Sequence, residues 1–286
     1  MHCRTRPVLI DALSPTQTIF CRMPETKENS FNPWPFGNAN ISKLQTGARL
    51  SRNFLAQASF VRHSKPLAQA RKQDGIMSKY VLIGSEGCGS VIVELAMREA
   101  QAEFELEEIP YLEPGPDRDR LLELNPLGQV PTLIMPDGSV MTESAAIILH
   151  LADAFPDQRF VPSSSDPQRP AFLRWLLYIN SEIYPTTTFA DDPDRWKISE
   201  TKSQPYKDAI DQYRMELWAN VEQVADDPYF LGERLSAVDF YIAVMRHWRP
   251  GKKAFAKALP KLNTIADNVS RLPQFESILK RNFPDS

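Results

Sequence analysis

The stretch that decides the fold runs from Asn125 to Ser144 and has the sequence NPLGQVPTLIMPDGSVMTES. Pro131 precedes the apolar run Thr132–Met135, and because proline cannot donate to a strand ladder, it belongs at the first residue of a strand. Asp137-Gly138 then separates two short apolar runs, which is a strong hairpin signal. Glu143-Ser144 ends the second run and precedes a helix-forming segment. The stretch therefore predicts a loop, a β-hairpin and the start of a helix.

A strand–helix–strand unit precedes this stretch. Tyr80–Ile83 predicts a short buried strand, residues 84–90 a glycine-rich loop, Val91–Ala100 a helix and Phe104–Leu106 a second strand. Such a unit implies that its two strands pair in parallel. A short charged helix, Asp117–Leu124, follows. The order βαβ, α, ββ, α predicts a thioredoxin-like α/β domain over residues 77–156.

Beyond this domain the pattern is helical. Residues 157–170 are rich in Pro, Ser and Asp and are interpreted as a linker, and residues 171–286 as an all-α domain. Ser236 with Asp239 three residues later predicts a capping box at a helix start. Two stripes of apolar residues follow helical spacing, and Trp196, Trp218 and Trp248 are predicted to be core. The stripes are Phe172, Trp175, Leu176, Ile179 and Ile183, and then Tyr206, Ile210, Tyr213, Leu217, Val221 and Val224.

Charge is unevenly distributed along the chain. The net charge is −3, but up to Gly75 eleven basic residues face four acidic ones, so that this segment carries +7 and the remainder −10. An acidic body argues against a nucleic-acid partner, which needs a basic footprint. Residues 1–76 are polar and lack periodicity. We interpret them as a disordered extension or as a gene-start artefact before a natural beginning at Met77, and a targeting peptide is the alternative.

Cysteine and apolar content indicate the compartment. Of three cysteines only Cys88 lies in the body, so no disulfide within the body is available, which favours a reducing cytoplasm. No apolar run approaches the length of a membrane span, so no membrane partner is expected. No metal-ligand cluster exists in the sequence, and no metal is predicted.

The loop, Val130-Pro131, the Asp-Gly hairpin and Glu143-Ser144 at a helix start together resemble the glutathione-binding half of the cytosolic glutathione S-transferase superfamily, in its bacterial type. The resemblance covers about Ser78 to Pro284 and does not fix the class within the superfamily. It implies a thioredoxin-like α/β domain followed by an all-helical domain. It also implies glutathione as co-substrate, a cis bond before Pro131 and a homodimer.

Five residues are candidates for binding glutathione. By the resemblance, Glu143 accepts from the γ-glutamyl ammonium and Ser144 offers a hydroxyl and a backbone amide to the carboxylate, since a helix N-terminus favours an anion. Val130 offers its backbone groups to the cysteinyl unit as an added strand. Pro131 turns those groups toward the ligand, and Gln129 is a further contact. The competing interpretations are simple helix capping at Glu143-Ser144 and a trans, structural Pro131.

The residue that activates the thiol stays open between Ser85 and Cys88. Ser85 lies just past the first strand, where serine-type members of the family carry a hydroxyl that donates to the glutathione thiolate. Cys88 lies near the first helix, where a thiolate is stabilised and its pKa falls, and cysteine-type members form a mixed disulfide there. Ser90 is a third candidate, and a site with no activating residue stays open as well. A second substrate would lie between the domains, near Tyr178, Tyr184 and Thr186–Thr188.

Three functions are compatible with these residues. The first is a glutathione transferase, whose acceptor chemistry (conjugation, isomerisation, dehalogenation or disulfide reduction) stays open. The loop after the first strand lacks both the Ser-Ser-Cys run of the isomerase branch and the Cys-Pro start of the omega-like branch. The second is a glutathione-dependent disulfide reductase that uses Cys88. The third is a non-catalytic binding module, because fold analogy does not give activity.

Overall fold

The computed structural model describes residues 79–191 and 196–284, which all belong to one compact unit of the chain. The predicted N-terminal extension, residues 1–76, and the proposed beginning at Met77 lie outside the described residues. None of the helices described is long and apolar enough to cross a membrane.

A four-stranded mixed sheet forms the first half of the described chain. Its strands are β1 (Tyr80–Gly84), β2 (Phe104–Glu108), β3 (Thr132–Ile134) and β4 (Val140–Met141). The spatial order is β2-β1-β3-β4, with β1 and β2 parallel and the other two pairs antiparallel. The predicted βαβ unit and hairpin are confirmed, and Pro131 stands directly before β3.

Three helices accompany the sheet: α1 (Ser90–Glu99), α2 (Pro116–Leu124) and α3 (Ser144–Ala154). Helix α1 is buried along most of its length because it lies between the sheet and the helical half of the chain, where it contacts α3 and two of the later helices. The hairpin turn is closed by Asp137, whose Oδ1 accepts from the Ser139 amide at 2.8 Å. Gly138 there has φ = 84°, a conformation that glycine adopts without strain.

The second half of the described chain is helical, as predicted. It contains α4 (Arg169–Tyr178), a π-helical segment (Ile179–Ile183), α5 (Tyr184–Asp191), α6 (Glu200–Val224), α7 (Ala237–Met245), α8 (Lys252–Ala258), α9 (Pro260–Ser270) and α10 (Pro273–Asn282). All nine residues of α7 are buried, so this helix lies at the centre of the core. The mixed sheet followed by helices confirms the predicted fold class.

The capping box at α7 has the predicted form. The Ser236 amide and hydroxyl both donate to Asp239 Oδ2, at 2.7 and 3.0 Å. Asp239 also accepts from the amide of Phe230 at 2.7 Å, so its carboxylate joins the loop before α7 to the helix start. Satisfying these buried amides is what allows an apolar helix to begin in the interior.

Two predictions about the helical core were wrong in part. The first apolar stripe is buried, but in the second Tyr213 is 48% exposed and Val224 51% exposed. The inward row of α6 runs instead through Arg214, Leu217, Trp218 and Val221. Arg214 can be buried because Thr186, Asp211 and the carbonyl of Arg249 accept its hydrogen bonds. Trp196 is also 46% exposed rather than core, with its ring edge-on to Phe189.

Candidate functional site

The Val130–Pro131 bond is cis and closes the loop between α2 and β3. Val130 itself is buried, and within the described part of the chain its backbone groups have no hydrogen-bond partner. Gln129 is half-buried and its carbonyl faces inward, where it accepts from Asn125 Nδ2 and from the Thr132 hydroxyl, both at 3.0 Å. The loop therefore presents the backbone of Val130 as an unpaired edge beside β3.

Asn125 organises this loop, a role that sequence reasoning missed. Its side chain is buried, accepts from the Leu127 amide at 3.1 Å and donates to Gln129 O and Thr132 Oγ1. The available signal was a polar residue at the C-cap of α2, directly before a proline. The residue positions Val130 but is too deep to meet a ligand itself.

Glu143 has an unusual backbone conformation, with φ = 66° and ψ = 104°. This region is sparsely populated for residues with a side chain, and such outliers cluster at ligand sites. Glu143 occupies the N-cap position of α3 but makes no side-chain capping bond. Its side chain is exposed and forms no hydrogen bond or ion pair with the described residues. The Glu143 side chain therefore does not cap α3, which was the competing interpretation of this residue.

Ser144 is buried, in contrast to Glu143. Its hydroxyl lies 2.6 Å from the Tyr241 hydroxyl and donates to Asn180 Oδ1 at 3.0 Å. The Ser144 side chain thus joins α3 to the helical half of the chain. Its backbone amide lies in the first turn of α3, where the helix dipole favours an anion. The amide is consequently better placed than the hydroxyl to meet a ligand carboxylate.

The loop between β1 and α1 is closed by Ser90. Its buried hydroxyl accepts from the Ser85 amide at 3.0 Å and donates to the Ser85 carbonyl at 3.1 Å. A side chain on Gly84 would collide with Ser90, at 2.9 Å, so glycine is needed there. The Ser90 hydroxyl already donates its single proton to the Ser85 carbonyl, which leaves it unsuited to donate to a thiolate.

Cys88 lies in this loop as a free, half-buried thiol. Helix α1 begins at Ser90 with Gly89 as its N-cap, so Cys88 precedes the helix. Burial raises the pKa of the Cys88 thiol, and hydrogen bonds from Tyr111 and Ser85 only partly oppose this effect. This direction is opposite to the lowered pKa expected for a thiol at a helix start, and desolvation is its largest cause.

Tyr111 was missed by sequence reasoning. It follows β2 and its half-buried ring packs with Cys88 in a small apolar cluster that includes Ile83 and Val130. Burial raises the pKa of Tyr111, and the neighbouring Cys88 raises it further, so that the hydroxyl stays protonated and can donate. Nothing in the sequence around Tyr111 marks it, since its role arises from the packing of the β2–α2 loop against the thiol.

Tyr184 connects the helical half of the chain with the loop. A side-chain Cβ on Gly89 would lie 1.6 Å from the Tyr184 hydroxyl, so the ring occupies the space that glycine leaves. Burial raises the pKa of Tyr184, as do the charges of Tyr241, Cys88, Tyr111 and Glu143 nearby. The Tyr184 hydroxyl is therefore close to the thiol loop and within electrostatic range of Glu143.

Two of the other residues suggested for a second substrate, Tyr178 and Thr186, serve the structure. The Tyr178 hydroxyl accepts from Asn220 at 3.1 Å, and its ring packs edge-on against Trp175. Thr186 is buried and accepts from Arg214 at 2.7 Å. Among the described residues, no group of three or more His, Cys, Asp or Glu is placed to hold a metal ion.

The chain is similar to several known proteins. Residues 90–154 match the family model of the glutathione S-transferase N-terminal domain. An uncharacterized GST-like protein, YncG, of Escherichia coli strain K12 is 39% identical over 202 residues, which is 70% of this chain and 96% of that protein. Glutathione S-transferase GstA of Escherichia coli O157:H7 is 25% identical over 195 residues, 68% of this chain and 94% of GstA.

Solved structures share the fold. A sphingomonad glutathione S-transferase complexed with glutathione has 26% identity and a TM-score of 0.58, and the match covers 70% of this chain and 97% of that one. The match therefore extends over both the sheet half and the helical half described above.

Proposed function

The chain belongs to the glutathione S-transferase superfamily, and on that premise we propose that it binds glutathione and activates its thiol for attack on an electrophilic small molecule. The observation that carries the proposal is Glu143. Its backbone is held at φ = 66°, and its carboxylate is exposed and unpaired within the described residues. An exposed carboxylate can bind the ammonium group of a zwitterionic ligand, and the adjacent helix N-terminus can bind the carboxylate of the same ligand.

The γ-glutamyl and cysteinyl units of glutathione each have a proposed partner. The Glu143 carboxylate accepts from the γ-glutamyl ammonium, and the Ser144 amide donates to the γ-glutamyl carboxylate. The backbone of Val130, held by the cis Pro131, pairs with the cysteinyl unit as an added strand. Gln129 remains a proposed neighbour of the peptide. The sphingomonad enzyme complexed with glutathione, 26% identical, supports the choice of ligand.

Ser85 is the residue we propose for activating the thiol. Ser85 directly follows β1, and it is one of the groups that lower the pKa of the Cys88 thiol, so we propose that its hydroxyl can donate to a sulfur atom at this loop. A donor of this kind stabilises the glutathione thiolate, which forms a bond to the electrophilic carbon as the leaving group departs. The thiol proton passes to solvent. The Tyr184 hydroxyl lies against Gly89 in the same loop, where we propose that it meets the sulfur or the electrophile.

The second candidate is a thiol-based disulfide reductase. It rests on Cys88, a free thiol in the loop. In this reaction the Cys88 thiolate attacks a glutathionylated disulfide and releases the partner thiol, and a second glutathione then reduces the mixed disulfide to give oxidised glutathione. The raised pKa of Cys88 disfavours this route at neutral pH because the thiolate is the nucleophile.

A homodimer in a reducing cytoplasm completes the proposal. Several large apolar residues are exposed on both halves of the described chain, and we propose that a second subunit covers part of this surface. They include Leu127 at 56%, Val140 at 38% and Leu177 at 50% exposure. Light scattering of the full chain would give twice the mass of 32.5 kDa if the proposal is right.

The experiment compares two reactions of the full chain. Glutathione binding is measured by calorimetric titration, and turnover with an activated aryl chloride and with a small disulfide. Ser85→Ala, Cys88→Ala and the control Ser165→Ala, in an exposed linker position, are compared with the parent. Loss of aryl conjugation in Ser85→Ala alone supports the transferase, and loss of disulfide turnover in Cys88→Ala alone supports the reductase. Binding without either turnover favours a non-catalytic module.

A further inference from the structure

The backbone of Gly87 is held from both sides by the helical half of the chain. Its amide donates to Asn282 Oδ1 at 2.9 Å, and its carbonyl accepts from Trp248 Nε1 at 2.7 Å. These two partners lie 195 and 161 residues further along the chain. Gly87 has φ = 68°, a left-handed conformation that exposes both backbone groups to such partners. Gly87 stands between Ser85 and Cys88, the two candidates for thiol chemistry.

The two side chains that hold Gly87 are themselves fixed. Asn282 is buried, and its Nδ2 donates to the Ile278 carbonyl at 2.9 Å, which sets the amide so that Oδ1 points at Gly87. The ring of Trp248 is half-buried and packs against Tyr184, with 5.1 Å between ring centroids. Trp248 therefore touches both the loop and the tyrosine that packs against it.

The C-terminal end of α10 is anchored to α1 by a second set of contacts. Arg281 donates to both carboxylate oxygens of Glu94, at 2.8 and 2.6 Å, and the Glu94 side chain is only 6% exposed. Phe283 stacks on His247, with ring centroids 4.1 Å apart and planes within 6°. Residues 281–283 are thus held to the α1 and α7 region, so Asn282 has little freedom to move away from Gly87.

We propose that Asn282 and Trp248 are positioning residues that hold the β1–α1 loop in the conformation needed for the thiol step, a role that rests on the proposed function. The residues proposed to bind the glutathione backbone, Val130 and Glu143, make no hydrogen bond to this loop within the described residues. The two side chains therefore act on turnover and leave glutathione affinity unchanged. Asn282, in α10, and Trp248, after α7, thus complete the site from the helical half of the chain.

The test uses full-length Asn282→Leu and Trp248→Phe, each of which removes one of the two bonds. Leucine has a similar volume but no acceptor, and phenylalanine keeps a ring against Tyr184 but has no N–H donor. The matched control is Lys280→Ala, which breaks an exposed ion pair with Glu276 on the same helix. Amide hydrogen exchange of residues 84–90 and the alkylation rate of Cys88, followed by mass spectrometry of its peptide, are measured without glutathione.

Both variants are expected to raise exchange in the loop and alkylation of Cys88 about tenfold, the effect of losing one hydrogen bond. The glutathione dissociation constant should stay within about twofold of the parent while kcat falls about tenfold, a pattern that marks the loss of an interaction used in the reaction. Lys280→Ala should match the parent in every measurement.

The proposal is overturned if the variants lower the melting temperature but leave loop exchange, Cys88 alkylation and kcat at parent values. It is also overturned if kcat and glutathione affinity fall together. If the parent itself does not bind glutathione, the proposed function fails, whereas the exchange and alkylation measurements still decide whether Asn282 and Trp248 hold the loop. Because the two variants alter different helical regions, a folding defect in one leaves the other as a test.

Discussion

Replacing Glu143 by glycine should make the protein more stable and weaken its binding of glutathione. Glu143 is held at φ = 66° and ψ = 104°. Holding a residue in such a sparsely populated region costs about 1–3 kcal/mol. Glycine has no Cβ and adopts a positive φ with less strain, but its greater freedom in the unfolded chain offsets roughly 0.5–1 kcal/mol of that gain. The net expectation for Glu143→Gly is a gain in unfolding free energy of about 1 kcal/mol.

Binding should change in the opposite direction. A hydrogen bond to a charged group contributes about 1.5–3 kcal/mol, and since Glu143 is exposed, solvent screening places its value at the lower end. Loss of about 1.4 kcal/mol corresponds to a tenfold rise in the glutathione dissociation constant. The melting temperature should rise by about 2–4 °C. Thermal unfolding and calorimetric titration measure the two effects on the same sample.

Two control variants separate strain from charge. Glu143→Gln keeps the side chain and its strain but removes the charge, so it should weaken binding without any gain in stability. Gln101→Gly relieves a positive φ of 54° in the turn after α1, so it should stabilise the protein without affecting binding. If Glu143→Gly lowers the melting temperature, or binds glutathione as tightly as the parent, the reasoning about this residue is refuted.

Three further predictions concern the loop and its surroundings. Because burial raises the pKa of Cys88 above its ordinary value of 9.0, alkylation of Cys88 should be slow at neutral pH and rise beyond pH 9; a plateau near pH 7 would contradict this. Gly89→Ala should lower stability by about 2 kcal/mol through overlap with the Tyr184 hydroxyl, and Tyr184→Phe should recover part of that loss in chemical denaturation of the double variant. Burial, and to a lesser extent the neighbouring charge of Arg246, lowers the pKa of His247 to about 3. As pH falls below about 6.5, His247 therefore becomes protonated in the unfolded state while it stays neutral in the folded state. The free energy of unfolding should therefore decline between pH 6.5 and 3. In His247→Phe this decline should be smaller by about 2 kcal/mol at about pH 4, after allowance for the partial exposure of His247. The assignment is contradicted if the variant has the same pH profile as the parent.

Much of the fold could be predicted because its signals are local. Pro131 before an apolar run, Asp137-Gly138 between two runs and Ser236 three residues before Asp239 each specify a turn, strand end or helix start through neighbouring atoms. The second apolar stripe failed for the opposite reason. Counting apolar residues placed Tyr213 in the core, whereas Arg214 takes the inward position because distant Thr186 and nearby Asp211 accept its hydrogen bonds.

The sequence by itself determined the thioredoxin-like and helical halves. It also predicts glutathione contacts at Val130, Glu143 and Ser144, since these lie within one continuous stretch. Only the tertiary structure decided the surroundings of the thiol. Tyr111 buries Cys88, Tyr184 fills the space over Gly89, and Trp248 and Asn282 hold Gly87. The positions of Trp248 and Asn282 depend on how the helical half packs against α1. Because that packing joins residues 161 and 195 positions apart, no local pattern in the chain specifies it.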